Sequence, residues 1–317
     1  MKKYSIIIPG YNIEKYIPSL SVFARDILRN RSDIEFIIID DGSTDNTYQK
    51  AKDEKVFNVF RQYNQGVSSA RNTGIELSKG SYILFLDADD TYDLDILNKL
   101  DKHITIDTEM VIFNYDITNI KNKNPKEITY FNKHQVLESF FLKKINMCIC
   151  SICFSSEFIK NKNLKFPIGY TFGEDIFFVI KSILATSTKI IYLPEKLFKY
   201  RIENSCTVTS CIDEKKIRVI DLYSQLLPYT LNIDKKNQLQ LHAHLEYFIQ
   251  RTYLYLIKLG LKNKLANFNS VIELSKLATV LDNKLLVAPF KFSIIKFIVK
   301  TSHPVIFFLL GKLRVKK

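Results

Sequence analysis

The first hundred positions alternate between short apolar runs and longer amphipathic stretches. Short apolar runs bounded by turn residues are typical of strands that are buried on both faces of a sheet. They predict strands at residues 4–9, 34–39, 56–61 and 82–86. The amphipathic stretches predict helices at residues 17–29, from about 46, at 68–78 and at 94–103. This alternation of strand and helix predicts βαβ units on a parallel sheet.

The alternation becomes less regular after residue 103. The sequence predicts one more strand at residues 110–115, a polar loop or exposed hairpin at 119–133, and mostly helix from 213 onward. The fold class is therefore predicted to be α/β, with a Rossmann-type, mostly parallel sheet flanked by helices and followed by a mainly helical C-terminal region. We expect two domains, residues 1–210 and residues 211–317.

Composition and charge separate the two ends of the chain. The 317 residues, 46% of them hydrophobic, are enough to bury a substantial core. The net charge of +13 is uneven, because residues 1–100 hold 13 basic and 15 acidic side chains, whereas residues 235–317 hold 15 basic and 3 acidic ones. The carboxyl-terminal end therefore favours an anionic surface as its partner.

Cysteine usage and the first residues indicate a reducing compartment. The five cysteines are an odd number, and Met1 leads directly into a predicted strand without a signal peptide. We therefore expect a cytoplasmic protein. Cys150 and Cys153 are spaced like a redox or zinc pair, but no second pair follows at ligand spacing, so buried thiols are the favoured interpretation.

Three carboxylates, Asp87, Asp89 and Asp90, follow the apolar run at residues 82–86. Ligands of open α/β sheets bind at the carboxyl ends of the strands, where these side chains are expected to emerge. Hard oxygen donors favour Mg²⁺ or Mn²⁺, and a cation would relieve the mutual repulsion of three acids. The alternative is a solvated acidic turn that caps the next helix.

Other polar groups follow neighbouring elements. The first predicted strand ends at Pro9 and is followed by Tyr11, and Asp41 follows the second. Arg71 lies near the start of a predicted helix, where it could either meet an anionic ligand or remain an ordinary surface arginine. Glu174 and Asp175 follow a glycine and precede an apolar run; one of them could act as a general base, or both could simply favour the helix dipole.

Together these segments carry a resemblance to a known family. In order and spacing, residues 5–12 (SIIIPGYN), 37–47 (IIIDDGSTDNT), 68–90 (SSARNTGIELSKGSYILFLDADD) and 172–175 (FGED) resemble the family 2 glycosyltransferases of the GT-A fold. The resemblance is dense over residues 4–95, weaker to about 207 and absent after that. It implies a GT-A-like sheet and transfer of a sugar from a nucleoside diphosphate donor with inversion at the anomeric carbon.

The resemblance also implies roles for individual residues. On the donor side, Pro9 and Tyr11 would line the base pocket, Asp41 would bind uracil, Arg71 would lie near the nucleotide, Asp87 would contact the ribose or the metal, and Asp89 would bind the metal. Asp175 would be the base and Glu174 would orient the acceptor. A looser pattern at residues 200–207 implies that Arg201 and Ser205 close over the diphosphate. The cofactor would be Mn²⁺ or Mg²⁺, which stabilises the charge that grows on the leaving diphosphate.

The C-terminal third suggests contact with a membrane surface. Residues 288–301 read as a helix with lysines beside a wide aromatic face, and basic residues follow at 312–317. The longest uncharged stretch in this region, residues 301–311, is too short to span a bilayer. We therefore predict that residues 288–317 lie at an anionic membrane surface. The alternative is a helix packed on the protein with a solvated basic tail.

The sequence as a whole predicts an inverting, metal-dependent hexosyl- or N-acetylhexosaminyltransferase. The resemblance implies that its donor is a UDP-sugar and that its acceptor is a bacterial surface glycan such as capsule or lipopolysaccharide. We expect this glycan to be built on a lipid-linked oligosaccharide at the inner face of the cytoplasmic membrane. A teichoic acid or protein acceptor is an alternative. A basic nucleic-acid-binding protein is an alternative of another class, disfavoured because the acidic strand ends would repel phosphates. The chain has no dinucleotide fingerprint and no P-loop.

Overall fold

The computed structural model describes residues 2–116, 124–200, 216, 218–232 and 235–262. The chain divides into two compact units, Met1–Ile202 and Glu203–Lys317. Within the described residues, every helix is too short or too polar to cross a bilayer. The predicted boundary between residues 210 and 211 stays a prediction.

The first unit is an α/β structure. Its strands are β1 (Tyr4–Gly10), β2 (Ile34–Asp40), β3 (Asn58–Arg61), β4 (Tyr82–Phe85), β5 (Thr91–Tyr92), β6 (Met110–Asp116), β7 (Thr129–Phe131), β8 (Ile152–Ser155) and β9 (Ile190–Lys199). Its helices are α1 (Ile17–Leu28), α2 (Thr47–Asp53), α3 (Val67–Leu77), α4 (Ile96–Asp101), α5 (Lys133–Phe141), α6 (Ser156–Asn161) and α7 (Glu174–Ala185), with 3₁₀ turns at Glu14–Tyr16 and Ile149–Ser151.

The strands form a single mixed sheet in the order β3-β2-β1-β4-β8-β6-β9-β5, and β7 pairs with β9. The parallel pairing that the sequence predicts holds for β1 to β4. Beyond them the sheet is mixed, since β8 runs antiparallel to β4 and β6, whereas β6 and β9 are parallel. Apolar periodicity marks a strand but not its direction, which explains why the sequence predicts the strand at residues 110–115 but not the antiparallel pairings of β8.

The centre of the sheet is buried on both faces. Every residue of β1 and β2 is buried, as expected for parallel strands covered by helices on both sides. Beneath the candidate site, the rings of Phe166 and Phe178 stack at 3.9 Å, and Phe85 of β4 meets Phe166 edge to face at 5.2 Å. These ring contacts hold the start of α7 close to the carboxyl end of β4.

The described part of the second unit is helical, as the sequence predicts. It contains α8 (Val219–Ser224), a 3₁₀ segment at Leu227–Asn232 and α9 (Lys235–Lys262). The ring of Tyr223 packs on that of Phe248 at 5.2 Å, which joins α8 to α9. The predicted membrane-contact segment, residues 288–317, lies outside the described residues.

Candidate functional site

Three neighbouring strands deliver polar side chains to one edge of the sheet. Gly10 of β1 pairs with Asp40 of β2, and the next residue, Asp41, donates its backbone N–H to the Gly10 carbonyl at 2.7 Å. On the other side of β1, the N–H of Leu86 extends the β4 pairing by donating to the Ile7 carbonyl at 2.9 Å. The structure therefore brings Tyr11, Asp41 and Asp87 to the same carboxyl edge.

The turn after β1 presents an exposed aromatic ring. Pro9 is buried within β1, whereas Tyr11 is 49% exposed just beyond it. The next residue, Asn12, has a positive φ of 55° and accepts a hydrogen bond from the backbone N–H of Thr44 at 2.9 Å. The turn is thus fixed to the loop that follows β2, while the Tyr11 ring is left open to a planar ligand.

Asp41 is buried and holds the loop that leads into α3. Its carboxylate accepts from the side chain of Gln62 at 2.7 Å and from the backbone N–H groups of Gln65 and Gly66 at 2.9 and 2.8 Å. Gly66 has a φ of 86°, which favours glycine, and immediately precedes α3. A carboxylate has about four acceptor positions, so one remains for a ligand. The sequence pattern did not predict this anchoring of the loop.

The acidic turn after β4 contains candidate metal ligands. Among the described residues, carboxylate oxygens of Asp87 and Asp90 and the sulfur of Cys150 lie within 4.8 Å of one another. Burial raises the pKa of the Cys150 thiol well above its usual value. The two carboxylates offer the hard oxygen donors that Mg²⁺ and Mn²⁺ prefer, whereas sulfur is a softer donor. Asp89, a predicted ligand, lies half-buried in the same turn but outside this set of three.

Tyr200 was not predicted as a site residue, although it also faces the acidic turn. It is half-exposed, and its pKa is raised by partial burial and then by Asp90 and Asp89. Cys150 and Tyr200 come from segments far from the acidic turn in the sequence, and no spacing rule connects them to it. The predicted residues Arg201 and Ser205, which follow Tyr200, lie outside the described residues.

Arg71 lies inside the protein, between two acidic groups. It is 4% exposed; its Nη2 contacts Asp87 Oδ1 at 3.0 Å and its Nη1 lies 3.5 Å from Glu174 Oε1. The guanidinium also covers the ring of Phe166 at 5.4 Å. Burial opposes its charge, but Asp87 and Glu174 outweigh that effect and raise the pKa of Arg71. Of the two roles considered from the sequence, the buried position excludes a surface arginine.

Glu174 and Asp175 begin α7 after Gly173, whose φ of 78° is left-handed. Burial raises the pKa of Glu174 to about 7, Asp175 adds to the shift and Arg71 partly offsets it. Burial likewise raises the pKa of Asp175, and the positive charge of Arg71 again partly offsets this rise. Glu174 is buried and Asp175 is half-buried, so Asp175 is the more accessible of the two. An acid whose pKa is shifted towards neutrality is suited to general base catalysis.

Comparison with known proteins identifies the same family as the motifs. The model of glycosyl transferase family 2 matches residues 5–161. The chain is 30% identical over 207 residues to WfaP of Escherichia coli, a UDP-Glc:α-D-GlcNAc-diphosphoundecaprenol β-1,3-glucosyltransferase, a match that covers 60% of this chain and 76% of WfaP. The chain spans 35% and 62% of the lengths of two other relatives, from Streptococcus pneumoniae and Bacillus subtilis.

Solved structures confirm the GT-A-like fold. Residues 1–349 of Staphylococcus aureus TarS in complex with UDP-GlcNAc superpose with a TM-score of 0.70 at 17% identity, covering 94% of this chain and 87% of TarS. The mannosyltransferase PcManGT of Pyrobaculum calidifontis in complex with GDP-Man and Mn²⁺ gives a TM-score of 0.55 at 14% identity, with coverages of 99% and 88%. At these identities the likeness establishes the fold alone.

Proposed function

Because this chain belongs to glycosyltransferase family 2, we propose that it transfers a hexose or N-acetylhexosamine from a UDP-sugar to a hydroxyl group with inversion at the anomeric carbon. The observation that carries this proposal is the chain of ion pairs from Asp87 through Arg71 to Glu174. These contacts join the acidic turn after β4, which we propose holds the cation, to the two acids at the start of α7, which we propose serve proton transfer. A glycosyl transfer needs both groups at one site.

The donor side favours a uridine nucleotide. The exposed ring of Tyr11 can stack on a planar base, and the remaining acceptor position of Asp41 can take the N3 proton of uracil. TarS is known in complex with UDP-GlcNAc, and WfaP uses UDP-Glc, which supports the same donor class. The proposed donor is therefore a UDP-sugar.

Asp87 and Asp89 would hold Mn²⁺ or Mg²⁺, with Asp90 close to Asp87. The likeness to an Mn²⁺-containing mannosyltransferase supports a divalent cation. When bound, the cation supplies positive charge that stabilises the departing diphosphate. The chain itself contributes the hard carboxylate oxygens that such a cation prefers.

The acceptor side supplies the base. Asp175, the more accessible of the two acids, takes the proton of the acceptor hydroxyl while the oxygen of that hydroxyl bonds to the anomeric carbon. The bond from that carbon to the diphosphate breaks, and its electron pair leaves with the phosphate oxygen. One base is enough for this single displacement, which inverts the anomeric centre. Glu174, which is buried against Arg71, orients the acceptor.

The proposed acceptor is a lipid-linked intermediate of a bacterial surface glycan such as capsule or lipopolysaccharide. WfaP, whose acceptor is a diphosphoundecaprenol-linked GlcNAc, supports this class. Contact of residues 288–317 with the inner face of the membrane would bring the enzyme to such an acceptor. That contact stays a prediction from the sequence.

A panel of UDP-sugars tests the proposal. Donor hydrolysis and transfer to synthetic diphospholipid-linked sugars are measured with and without Mn²⁺, for the wild type and for Asp89→Ala, Asp175→Asn and the exposed control Asp53→Asn. Asp89→Ala is expected to lose metal-dependent nucleotide binding. Asp175→Asn is expected to bind UDP normally and to transfer nothing. Failure of the wild type to act on any UDP-sugar, or full activity of Asp175→Asn, would contradict the proposal.

A further inference from the structure

The position of Arg71 differs from what contact with a nucleotide requires. Its side chain is enclosed, and its charged contacts are Asp87 from the turn after β4 and Glu174 from the start of α7. The ring of Phe166 covers the guanidinium. A diphosphate contact needs N–H groups that face an open site, whereas those of Arg71 face the interior.

The two contacts of Arg71 are unequal. Nη2 donates a hydrogen bond to Asp87 at 3.0 Å. Nη1 lies 3.5 Å from Glu174 Oε1 and, like Nε, finds no hydrogen-bond acceptor among the described residues. The link to Asp87 is therefore formed, while the link to Glu174 is a charge contact that a small movement would turn into a hydrogen bond. Catalytic hydrogen bonds are often long in the absence of substrate.

We propose that Arg71 is a positioning residue that couples the donor side of the site to the acceptor side, acting through Asp87 and Glu174 and not by contact with the nucleotide. The inference rests on the proposed function. Arg71 holds Asp87 in place for the cation and Glu174 in place beside the base, Asp175. A change at either carboxylate is transmitted to the other through one guanidinium.

The test separates nucleotide contact from positioning. Arg71→Gln removes the charge, Arg71→Lys keeps the charge without the planar fork, and Arg25→Gln is the control, since Arg25 is exposed on α1 and pairs with Glu54. The measurements are the affinity for UDP by calorimetry with and without Mn²⁺, and kcat and KM for the donor. Thermal unfolding shows whether each variant is folded. If Arg71→Gln does not fold, the same measurements on Arg71→Lys decide the test.

For Arg71→Gln we expect the metal-free affinity for UDP to stay within about twofold of the wild type, because no contact with the nucleotide is lost. The increase in UDP affinity on adding Mn²⁺ is expected to be about tenfold smaller than in the wild type. We expect kcat to fall roughly a hundredfold, which is the size of effect seen when reacting groups are misplaced. Arg71→Lys should recover part of kcat. A tenfold loss of metal-free UDP affinity, or an unchanged kcat, would overturn the inference.

Double-mutant cycles keep this inference distinct from the proposed function. Arg71→Gln is combined with Asp87→Asn and with Glu174→Gln, and the effects are read both on kcat and on the free energy of unfolding. Strong non-additivity in both cycles is the expected result, and additive effects would overturn the inference. If the wild type binds no UDP, the proposed function fails, yet the cycles on unfolding still decide whether Arg71 joins the two carboxylates.

Discussion

Asn72 and Phe166 form a two-way hydrogen-bonded pair: Asn72 Oδ1 accepts from the backbone N–H of Phe166 at 2.8 Å, and Asn72 Nδ2 donates to the Phe166 carbonyl at 3.0 Å. Both residues are buried. The pair fixes the segment that leads into α7 against α3, the helix that carries Arg71. The contact between Arg71 and Glu174 therefore depends on the side-chain amide of Asn72, which hydrogen-bonds to Phe166.

Replacing Asn72 by alanine should weaken both folding and catalysis. The substitution leaves a buried N–H and a buried carbonyl of Phe166 without partners, which costs about 1–3 kcal/mol. We expect a loss of this size in the free energy of unfolding, measured in urea, together with a lower kcat. The matched control is Asn161→Ala, whose side chain is exposed and bonds only weakly to Glu157 at 3.3 Å. Equal stability of the two variants would contradict the structural role of Asn72.

The sequence predicted the strand-end residues because of simple geometry. Tyr11, Asp41 and Asp87 follow apolar runs, and the carboxyl ends of parallel strands meet at one edge, so their convergence could be foreseen. The family resemblance and the GT-A-like fold are confirmed by the comparisons. The roles assigned to single residues stay predictions.

Other features of the site could not be predicted. The approach of Arg71 to Glu174 joins two helices that lie far apart in the chain, and no periodicity encodes such a pair. Cys150 comes close to Asp87 because β8 inserts antiparallel between β4 and β6. Contacts of this kind depend on strand order, which apolar patterns do not specify.

Asp41→Asn should loosen the loop before α3 and weaken donor binding. The amide nitrogen of asparagine would replace one carboxylate oxygen and would face an N–H donor there. In place of Oδ1 it would face the Gln65 N–H and the Gln62 side chain, and in place of Oδ2 the Gly66 N–H. The remaining bonds also lose their charge assistance. We expect a loss of about 1–2 kcal/mol in unfolding free energy and a roughly tenfold lower affinity for UDP. The control is Asp53→Asn on the exposed face of α2; unchanged UDP affinity of Asp41→Asn would remove Asp41 from the donor site.

Two glycines that pack against β1 should differ in their tolerance of alanine. A Cβ at Gly80 would lie 2.5 Å from the backbone nitrogen of Ser5, whereas a Cβ at Gly74 would lie 2.3 Å from the side-chain Cγ2 of Ile7. A side chain can turn away more easily than a central strand can move. We expect Gly74→Ala to cost about 1–3 kcal/mol and Gly80→Ala to cost more. Urea unfolding, with exposed Ser81→Ala as the control, measures both, and the reverse order would contradict this packing.

The raised pKa of Glu174 should make stability depend on pH. Its pKa is shifted from 4.5 to about 7 in the folded protein, mainly by burial. The unfolded chain therefore releases this proton at lower pH than the folded chain does. Between the pKa values of 4.5 and about 7, the folded state binds more protons than the unfolded state. The part of the free energy of unfolding that comes from Glu174 therefore falls as the pH rises through this range, and it is constant above it.

Glu174→Gln removes that contribution, because glutamine does not titrate. The free energy of unfolding of the variant minus that of the wild type should therefore rise by on the order of 2–3 kcal/mol from about pH 5 to about pH 8. The measurement is urea unfolding of both proteins at the two pH values, and Glu157→Gln, at an exposed position of α6, is the matched control. A difference between Glu174→Gln and wild type that is the same at both pH values would mean that Glu174 is already ionised at the lower one. Arg71 would then hold Glu174 as a carboxylate throughout, and proton uptake at this site would belong to Asp175 alone.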